Sequence, residues 1–129
     1  MIKFTIPLQP ISKKNSQQIF VNRKTGKPFI MPSQKYKDYE NAAAWFIPKL
    51  KKPIDYPVNV KCLFFMGTKR KVDKSNLEEA VHDILVNVGL LLDDNRNIVA
   101  ATDGSRVYLC KDKPRTEVEI TPLSDYEIW

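Results

Sequence analysis

The sequence predicts a single α+β domain in which a mixed β-sheet packs against two main helices. Segments of alternating hydrophobicity lie at both ends of the chain, two stretches have helical spacing of apolar residues, and the longest alternating segment lies between those two stretches. The chain has 129 residues, of which 43% are hydrophobic and 28% charged, as is ordinary for a globular domain with its own core. Because no internal repeat or second domain is visible, residues 1–129 are treated as one domain.

The first elements are predicted to be short strands. Apolar and polar residues alternate over Ile2–Ile6, which indicates a strand that Pro7 ends. Residues 19–21 and 28–31 are two further strand-like segments around a turn at residues 22–27, in which Gly26 supplies the flexible position.

The first helix is predicted to span residues 33–50. Ser33 follows a proline and is a good N-cap, and Pro48 is expected to truncate the helix near its end. Side chains that recur at helical spacing are assigned to this helix, and its aromatic residues are assigned to the core rather than to a base-stacking surface: Tyr36, Tyr39, Ala43, Phe46 and Leu50.

Residues 58–66 are predicted to form the central strand. Its alternate residues are apolar and are expected to face one way: Val58, Val60, Cys62, Phe64 and Met66. Because Leu63 and Phe65 on the opposite side are apolar as well, we expect this strand to be covered on both faces.

A second amphipathic helix is predicted within residues 73–94. At about 100° of turn per residue, one face is apolar and consists of Leu77, Ala80, Val81, Ile84, Leu85 and Val88. Ser75 and Glu78 have the spacing of a capping box, so the helix is expected to begin at residue 75 or 76, and Gly89 is a natural stop. Further strands are predicted at residues 98–101, interrupted near Asp103 and Gly104, then at 107–109 and at 116–121. An apolar tail follows at residues 126–129.

The charge balance favours a polyanionic partner. The formal net charge is +6 and the isoelectric point is near 9.3, which is compatible with nucleic acid binding without requiring it. No apolar stretch is long enough to span a membrane and the N-terminus does not resemble a signal sequence, so a cytoplasmic protein is expected. Cys62 and Cys110 are far apart in sequence, and both are interpreted as buried, reduced thiols.

Carboxylates are the strongest candidates for chemistry. Asp73 precedes the second helix, and Asp93 and Asp94 follow the apolar segment after it, so they can meet only if the chain returns beside the helix. A hard divalent cation is bound by such oxygen clusters. Individually, Asp93 and Asp94 are more typical of a turn than of a metal site, and Asp73 is typical of a helix start.

Cations near these carboxylates strengthen the interpretation. Lys69, Arg70 and Lys71 come directly before the second helix, and a metal site rimmed by cations suits a phosphodiester substrate. His82 is the only histidine and has no partner at zinc-ligand spacing, and the chain has neither a glycine-rich phosphate loop nor a histidine-activated nucleophile.

These features together resemble the RusA family of Holliday-junction resolvases, small endodeoxyribonucleases common on phages and prophages. The resemblance covers nearly the whole chain, including the loop with Ser12, Lys13, Lys14 and Asn15. Its most specific part is an ordered set in and after the second helix: Asp73, Asn76, Leu77, Ala80, Val81, Asp83, Leu85, Gly89, Asp93 and Asp94.

The resemblance implies a cytoplasmic homodimer, in a bacterial or phage-infected cell, that binds four-way DNA junctions in recombination and repair. It implies paired, symmetric nicks that depend on Mg²⁺, for which Mn²⁺ can substitute, and no small-molecule cofactor or membrane partner. Asp73 and Asp94 match the essential carboxylates of the family. Asp83, Asp93 and Asn76 are then expected to position the metal ligands, and DNA contacts are expected from Lys13, Lys14, Asn15, Lys69, Arg70 and Lys71.

Two positions depart from the family pattern. Ser75 stands where many relatives have a second aspartate, and Glu79 stands where many have a lysine. Glu79 lies one helical turn after Ser75, so we expect it to provide the third metal ligand, while Lys74 takes over the phosphate-facing charge. Two alternative functions therefore remain. One is a RusA-like junction-binding protein with weak or lost catalysis, and the other is a basic RNA-binding or ribosome-associated α+β domain.

Overall fold

The computed structural model describes residues 1–13 and 17–123. Lys14 and Asn15, for which DNA contacts are predicted, and the tail at residues 126–129 lie outside the described residues. The elements are β1 (Ile2–Ile6), β2 (Gln17–Val21), β3 (Pro28–Pro32), α1 (Gln34–Ala43), a 3-10 helix (Ala44–Phe46), β4 (Val58–Met66), α2 (Lys74–Asn87), β5 (Val99–Ala101), β6 (Arg106–Leu109) and β7 (Arg115–Pro122).

Strand β4 is the centre of a five-stranded mixed sheet. On one side it pairs antiparallel with β7, which in turn pairs antiparallel with β1. On the other side β5 and β6 both pair parallel with β4, one after the other along its length. Strands β2 and β3 form a separate antiparallel hairpin. The predicted α+β class, with a mixed sheet and two main helices, is therefore confirmed.

The interruption predicted near Asp103 and Gly104 is also confirmed, and β4 stabilises it. Asn59 donates from its side-chain amide to the Asp103 carbonyl at 3.2 Å and accepts the Asp103 N–H at 2.7 Å. Ser105 is buried, and its hydroxyl accepts the N–H of Cys62 at 3.0 Å. The break between β5 and β6 thus keeps its backbone and side-chain polar groups paired.

The core lies between the helices and one face of the sheet. All five predicted residues of β4 are buried, as are Tyr36, Tyr39 and Ala43 of α1 and the stripe Leu77, Ala80, Val81, Ile84 and Leu85 of α2. The expectation that β4 is covered on both faces is wrong, because Leu63 and Phe65 are only half-buried. Phe65 instead stacks on Tyr108 of the edge strand β6, with ring centroids 5.1 Å apart.

Helix α1 is shorter than predicted. It begins after the N-cap Ser33, as expected, and the Ser33 hydroxyl accepts the Tyr36 N–H at 3.2 Å. It gives way to the 3-10 helix after Ala43, because the residue before Pro48 is driven into an extended conformation and Ile47 has φ −95° and ψ 128°. Phe46 is 43% exposed, so its assignment to the core is wrong, and Leu50 lies beyond the end of the helix to which it was assigned.

Helix α2 begins earlier than predicted. Asp73 is its N-cap and Lys74 its first residue, so the capping box from Ser75 is wrong. Glu78 forms an ion pair with Lys74 at 2.9 Å instead. Gly89 ends the helix as expected, with φ +82°, a conformation that strongly favours glycine. Cys62 and Cys110 are free thiols, Cys62 buried and Cys110 half-buried.

Candidate active site

Asp73 caps the start of α2 through its backbone rather than its carboxylate. Its carbonyl accepts the N–H groups of Asn76 and Leu77 at 3.1 and 3.2 Å. The carboxylate caps no backbone N–H and only approaches the Asn76 side-chain amide, at 3.4 Å. Asp73 is exposed, so its oxygens are accessible to a ligand from solvent.

The chain reverses after α2 and returns beside the end of the helix. The Leu85 carbonyl accepts the N–H groups of both Leu90 and Leu91, which turns the chain tightly at Gly89. Asp94 follows five residues later, a reach of at most ~18 Å. Since the 14 residues of α2 extend roughly 21 Å, the returning segment reaches the C-terminal half of the helix more easily than its start.

Asp93 holds the loop that carries Asp94. One Asp93 oxygen accepts the Asp94 N–H at 2.7 Å, and the other accepts the Asn95 side-chain amide at 3.2 Å. Asn95 in turn accepts the Asn97 N–H through its side chain and the Ile98 and Val99 N–H groups through its carbonyl. These bonds occupy the Asp93 carboxylate locally, so Asp94 is the better placed of the pair to bind a ligand.

Asp94 and Asp83 line one small cleft. This acidic cleft has a volume of about 240 Å³ and is lined by Lys13, Asp83, Val86, Asn87 and Asp94. Lys13 comes from the loop after β1, Asp83 and Asn87 from α2, and Asp94 from the loop after the helix. Three separate segments therefore bring two carboxylates, an amide and a cation together.

The electrostatics of the acidic cleft indicate an excess of negative charge. Burial is the largest cause that raises the pKa of Asp83, and the neighbouring Lys13 lowers it. The carboxylates of Asp94, Glu79 and Glu40 raise it further, so the net shift is upwards. A cation bound in the cleft would relieve this repulsion.

Two polar residues of α1 that interact with the lining of the acidic cleft were not identified as site residues from the sequence. Glu40 of α1 accepts a long hydrogen bond from the Asn87 side chain at 3.4 Å. The Tyr36 hydroxyl is buried without a hydrogen-bond partner among the described residues, and burial followed by the charges of Glu40 and Asp83 raises its pKa. The only sequence signal was that Tyr36 and Glu40 lie one turn apart on the helix, which suits packing equally well.

His82 lies close to the same carboxylates. Its Nε2 atom is buried without a hydrogen-bond partner among the described residues. Burial lowers the pKa of His82, against the charges of Glu78, Asp94 and Glu79, which raise it. The side chain is therefore held neutral.

The remaining predicted residues are distributed around this centre. Glu79 is exposed, and its charge acts on both Asp83 and His82. Lys74 is paired with Glu78 on its own helix. Asp73 is not in the lining of the acidic cleft, and neither are Lys69, Arg70 and Lys71.

The donor set fits a hard divalent cation. Within residues 1–13 and 17–123, no group of three or more His, Cys, Asp or Glu side chains is arranged to hold a metal ion. Mg²⁺, however, is commonly bound by one or two carboxylates together with water and substrate phosphate. Asp83 and Asp94 provide two carboxylates, and the pKa of Asp83 is raised first by burial and further by the charge of Asp94.

Comparison with known proteins identifies the family. The sequence model of the family described as endodeoxyribonuclease RusA matches residues 7–121, which is most of the 129-residue chain. No curated protein matches the chain. Across the described residues, no helix is long and apolar enough to cross a membrane.

The family match spans all the elements that build the acidic cleft, from the loop with Lys13 to the loop with Asp94. The match and the fold agree with the resemblance found in the sequence. The chain belongs to the RusA endodeoxyribonuclease family, and it is a Holliday-junction-resolving endonuclease.

Proposed function

We propose that this RusA family member is a divalent-metal-dependent homodimer that resolves four-way DNA junctions by paired, symmetric nicks in DNA recombination and repair. The observation that carries the proposal is the acidic cleft, in which Asp83 and Asp94 converge beside Lys13. Carboxylates for a cation next to a lysine for a phosphate suit phosphodiester hydrolysis. A homodimer suits the substrate, because a two-fold junction presents two equivalent strands to a two-fold protein.

Each residue of the site has a proposed role that follows from its chemistry. Asp94 and Asp83 would hold the cation, so Asp83 is proposed as a ligand and not as the positioning residue that the sequence predicts. Glu79 and Asp73 are the further ligands that the sequence predicts. A bound Mg²⁺ or Mn²⁺ would supply positive charge to the phosphate oxygens and would lower the pKa of a water molecule. Lys13 binds a phosphate oxygen and opposes its negative charge. Asp93 and Asn76 position Asp94 and Asp73 through the hydrogen bonds described above.

The rival proposal is a junction-binding protein with weak or lost catalysis. Ser75 favours it, because it provides no carboxylate in the first turn of α2. Glu79 favours the active enzyme, because its charge acts on Asp83 and adds to the negative potential of the acidic cleft. Glu79 is therefore the residue on which the two proposals differ.

Cleavage of a labelled synthetic four-way junction, with and without Mg²⁺, tests the proposal. Linear duplex of the same sequence is the control substrate. We expect two symmetric nicks that require the metal and leave the duplex uncut. Tight junction binding without any cut would overturn the active enzyme in favour of its rival.

Two variants separate the proposals further. Glu79→Gln is expected to lower cleavage and Mg²⁺ affinity by about 10- to 100-fold. Ser75→Asp in the Glu79→Gln background is expected to recover part of that loss, since it restores a carboxylate one turn away. If Glu79→Gln cleaves and binds Mg²⁺ like the wild type, Glu79 is not a metal ligand.

A further inference from the structure

A second cleft is lined by positively charged side chains. This basic cleft lies between the loop after β1, the beginning of α1 and the segment after β4, and has a volume of about 170 Å³. Its charged lining residues are all cations: Lys35, Arg70 and Lys71. Lys35 is distant in sequence from the other two, so the fold and not a local charge run assembles the group.

The three cations lack counterions among the residues that the structure describes. None of them forms an ion pair within 4.0 Å in residues 1–13 and 17–123, whereas Lys61, Lys74 and Arg115 are each paired with a glutamate. Like charges that line one cleft repel one another. An anionic ligand would remove this repulsion.

The uncharged lining residues add hydrogen-bond donors. The Gln9 side-chain oxygen accepts the Gly67 N–H at 2.8 Å, which leaves its amide N–H₂ group as the part that can serve a ligand. Gly67 permits this contact, because an added Cβ would lie 2.7 Å from that oxygen. Thr68 adds a hydroxyl group to the lining. Cations with amide and hydroxyl donors are the groups that proteins use for phosphate.

One loop connects the two clefts. Gln9 and Ser12 line the basic cleft, and Lys13, the next residue along the chain, lines the acidic cleft. The two clefts therefore adjoin at residues 12 and 13. We propose that the basic cleft binds a backbone phosphate of the DNA other than the one that is cleaved, with Lys35, Arg70 and Lys71 as its ligands. The assignment to DNA rests on the proposed function.

Binding measured without cleavage tests this site. The full-length protein is titrated onto a labelled four-way junction and onto linear duplex in EDTA, between 50 and 200 mM salt. Lys35→Gln is compared with Lys37→Gln, which removes the same charge from the same helix but does not line the basic cleft. Arg70→Gln is compared with Arg106→Gln, which removes the same charge from an exposed position that does not line the basic cleft.

The two cleft variants are expected to weaken binding about three- to tenfold at 100 mM salt and to lower the slope of log K against log salt by about 0.9 each. Lys37→Gln and Arg106→Gln are expected to stay within about twofold of the wild type. Lys35, Arg70 and Arg106 are exposed and Lys37 is half-buried, so we expect each variant to fold, which thermal unfolding checks.

Equal losses in Lys35→Gln and Lys37→Gln, or no loss in Lys35→Gln, would overturn the basic cleft as a phosphate site. Junction cleavage is measured separately on the same samples. A wild type that binds DNA through Lys35 but never cuts the junction would contradict the proposed function while supporting the basic cleft. A wild type that binds no DNA would overturn both.

Discussion

The acidic cleft and the basic cleft meet at the loop of residues 9–13, yet they collect opposite charges. The acidic cleft is built from α2 and from a loop whose own side chains hold it in place through Asp93 and Asn95. The basic cleft is lined by the loop after β1 and by the segment after β4, whose Arg70 and Lys71 side chains are long and exposed. Cleavage requires groups held in fixed positions, whereas contacts to a DNA backbone tolerate flexible lysine and arginine side chains. We therefore expect substitutions in the first cleft to reduce the cleavage rate and substitutions in the second to reduce affinity.

Asp94→Asn should show the largest difference between an effect on the cleavage rate and an effect on DNA binding. Loss of this carboxylate removes a metal ligand, and we expect the cleavage rate to fall by about 10²–10³-fold. Metal-free junction binding should be kept or become slightly tighter, because a negative charge is removed. Asp112→Asn, an exposed residue in the turn before β7, is the matched control and should cleave normally. A parallel loss of cleavage and binding in Asp94→Asn would remove the distinction between the clefts.

Asp83→Asn should lower activity and raise stability at once. Cleavage is expected to fall about 10- to 100-fold, since Asp83 helps to hold the cation. The melting temperature in EDTA should rise, because burial and the charges of Asp94, Glu79 and Glu40 disfavour the ionised Asp83 that the substitution removes. A lower melting temperature at pH 7 would mean that the Asp83 charge is compensated after all.

Gly67→Ala should affect the basic cleft alone. The added methyl group would lie 2.7 Å from the Gln9 side-chain oxygen and 3.3 Å from Pro114 Cβ, so the Gln9 hydrogen bond should be lost. We expect DNA affinity to fall about two- to threefold, consistent with the modest value of one hydrogen bond. The cleavage rate at saturating protein, measured beside Gln9→Ala, should be unaffected. If Gly67→Ala lowered that rate, the change would extend into the acidic cleft.

His82 should give the smallest effect, a loss of stability in mild acid. Its folded pKa is lowered from 6.5, so the unfolded state binds more protons once the pH falls below about 6.5. Stability should therefore be constant above that pH and decrease below it, with a melting temperature on the order of a few degrees lower at pH 5.5 than at pH 7.5. Asp83, whose folded pKa is raised, contributes in the opposite sense as the pH falls.

Comparison with His82→Gln cancels the contribution of Asp83, because both proteins retain that residue. The wild type should lose more of its melting temperature between pH 7.5 and 5.5 than the variant. Equal decreases in melting temperature would show that His82 has the same pKa in the folded and unfolded states.

Local patterns in the sequence predict most of the fold. The alternation in β4, the stripe of α2, the N-cap Ser33 and the stop at Gly89 each depend on neighbouring residues, and each is confirmed. The errors arise where two local signals compete. Pro48 overrides the apolar spacing at the end of α1, and the backbone of Asp73 caps α2 in place of Ser75.

The candidate site is harder to predict because it depends on distant segments. The sequence singles out Asp94 and Asp83 but does not reveal that the turn at Gly89 brings them into one cleft with Lys13. Glu40 and Lys35 carried no signal, because a charged residue on an exposed helix face is ordinary. Their neighbours come from α2 and from the segment after β4, and only the packing of α1 determines those contacts.

Single-turnover cleavage of the four-way junction, measured over a range of protein concentrations, tests the division between the clefts most directly. The account predicts that Lys35→Gln needs more protein but recovers a rate close to that of the wild type at saturation. Asp94→Asn is predicted to remain slow at every concentration although it binds the junction. Two results would contradict the assignment of cleavage to the acidic cleft and of binding to the basic cleft. One is an Asp94→Asn cleavage rate that rises to the wild-type rate at high protein concentration, and the other is a Lys35→Gln cleavage rate that stays low at saturation.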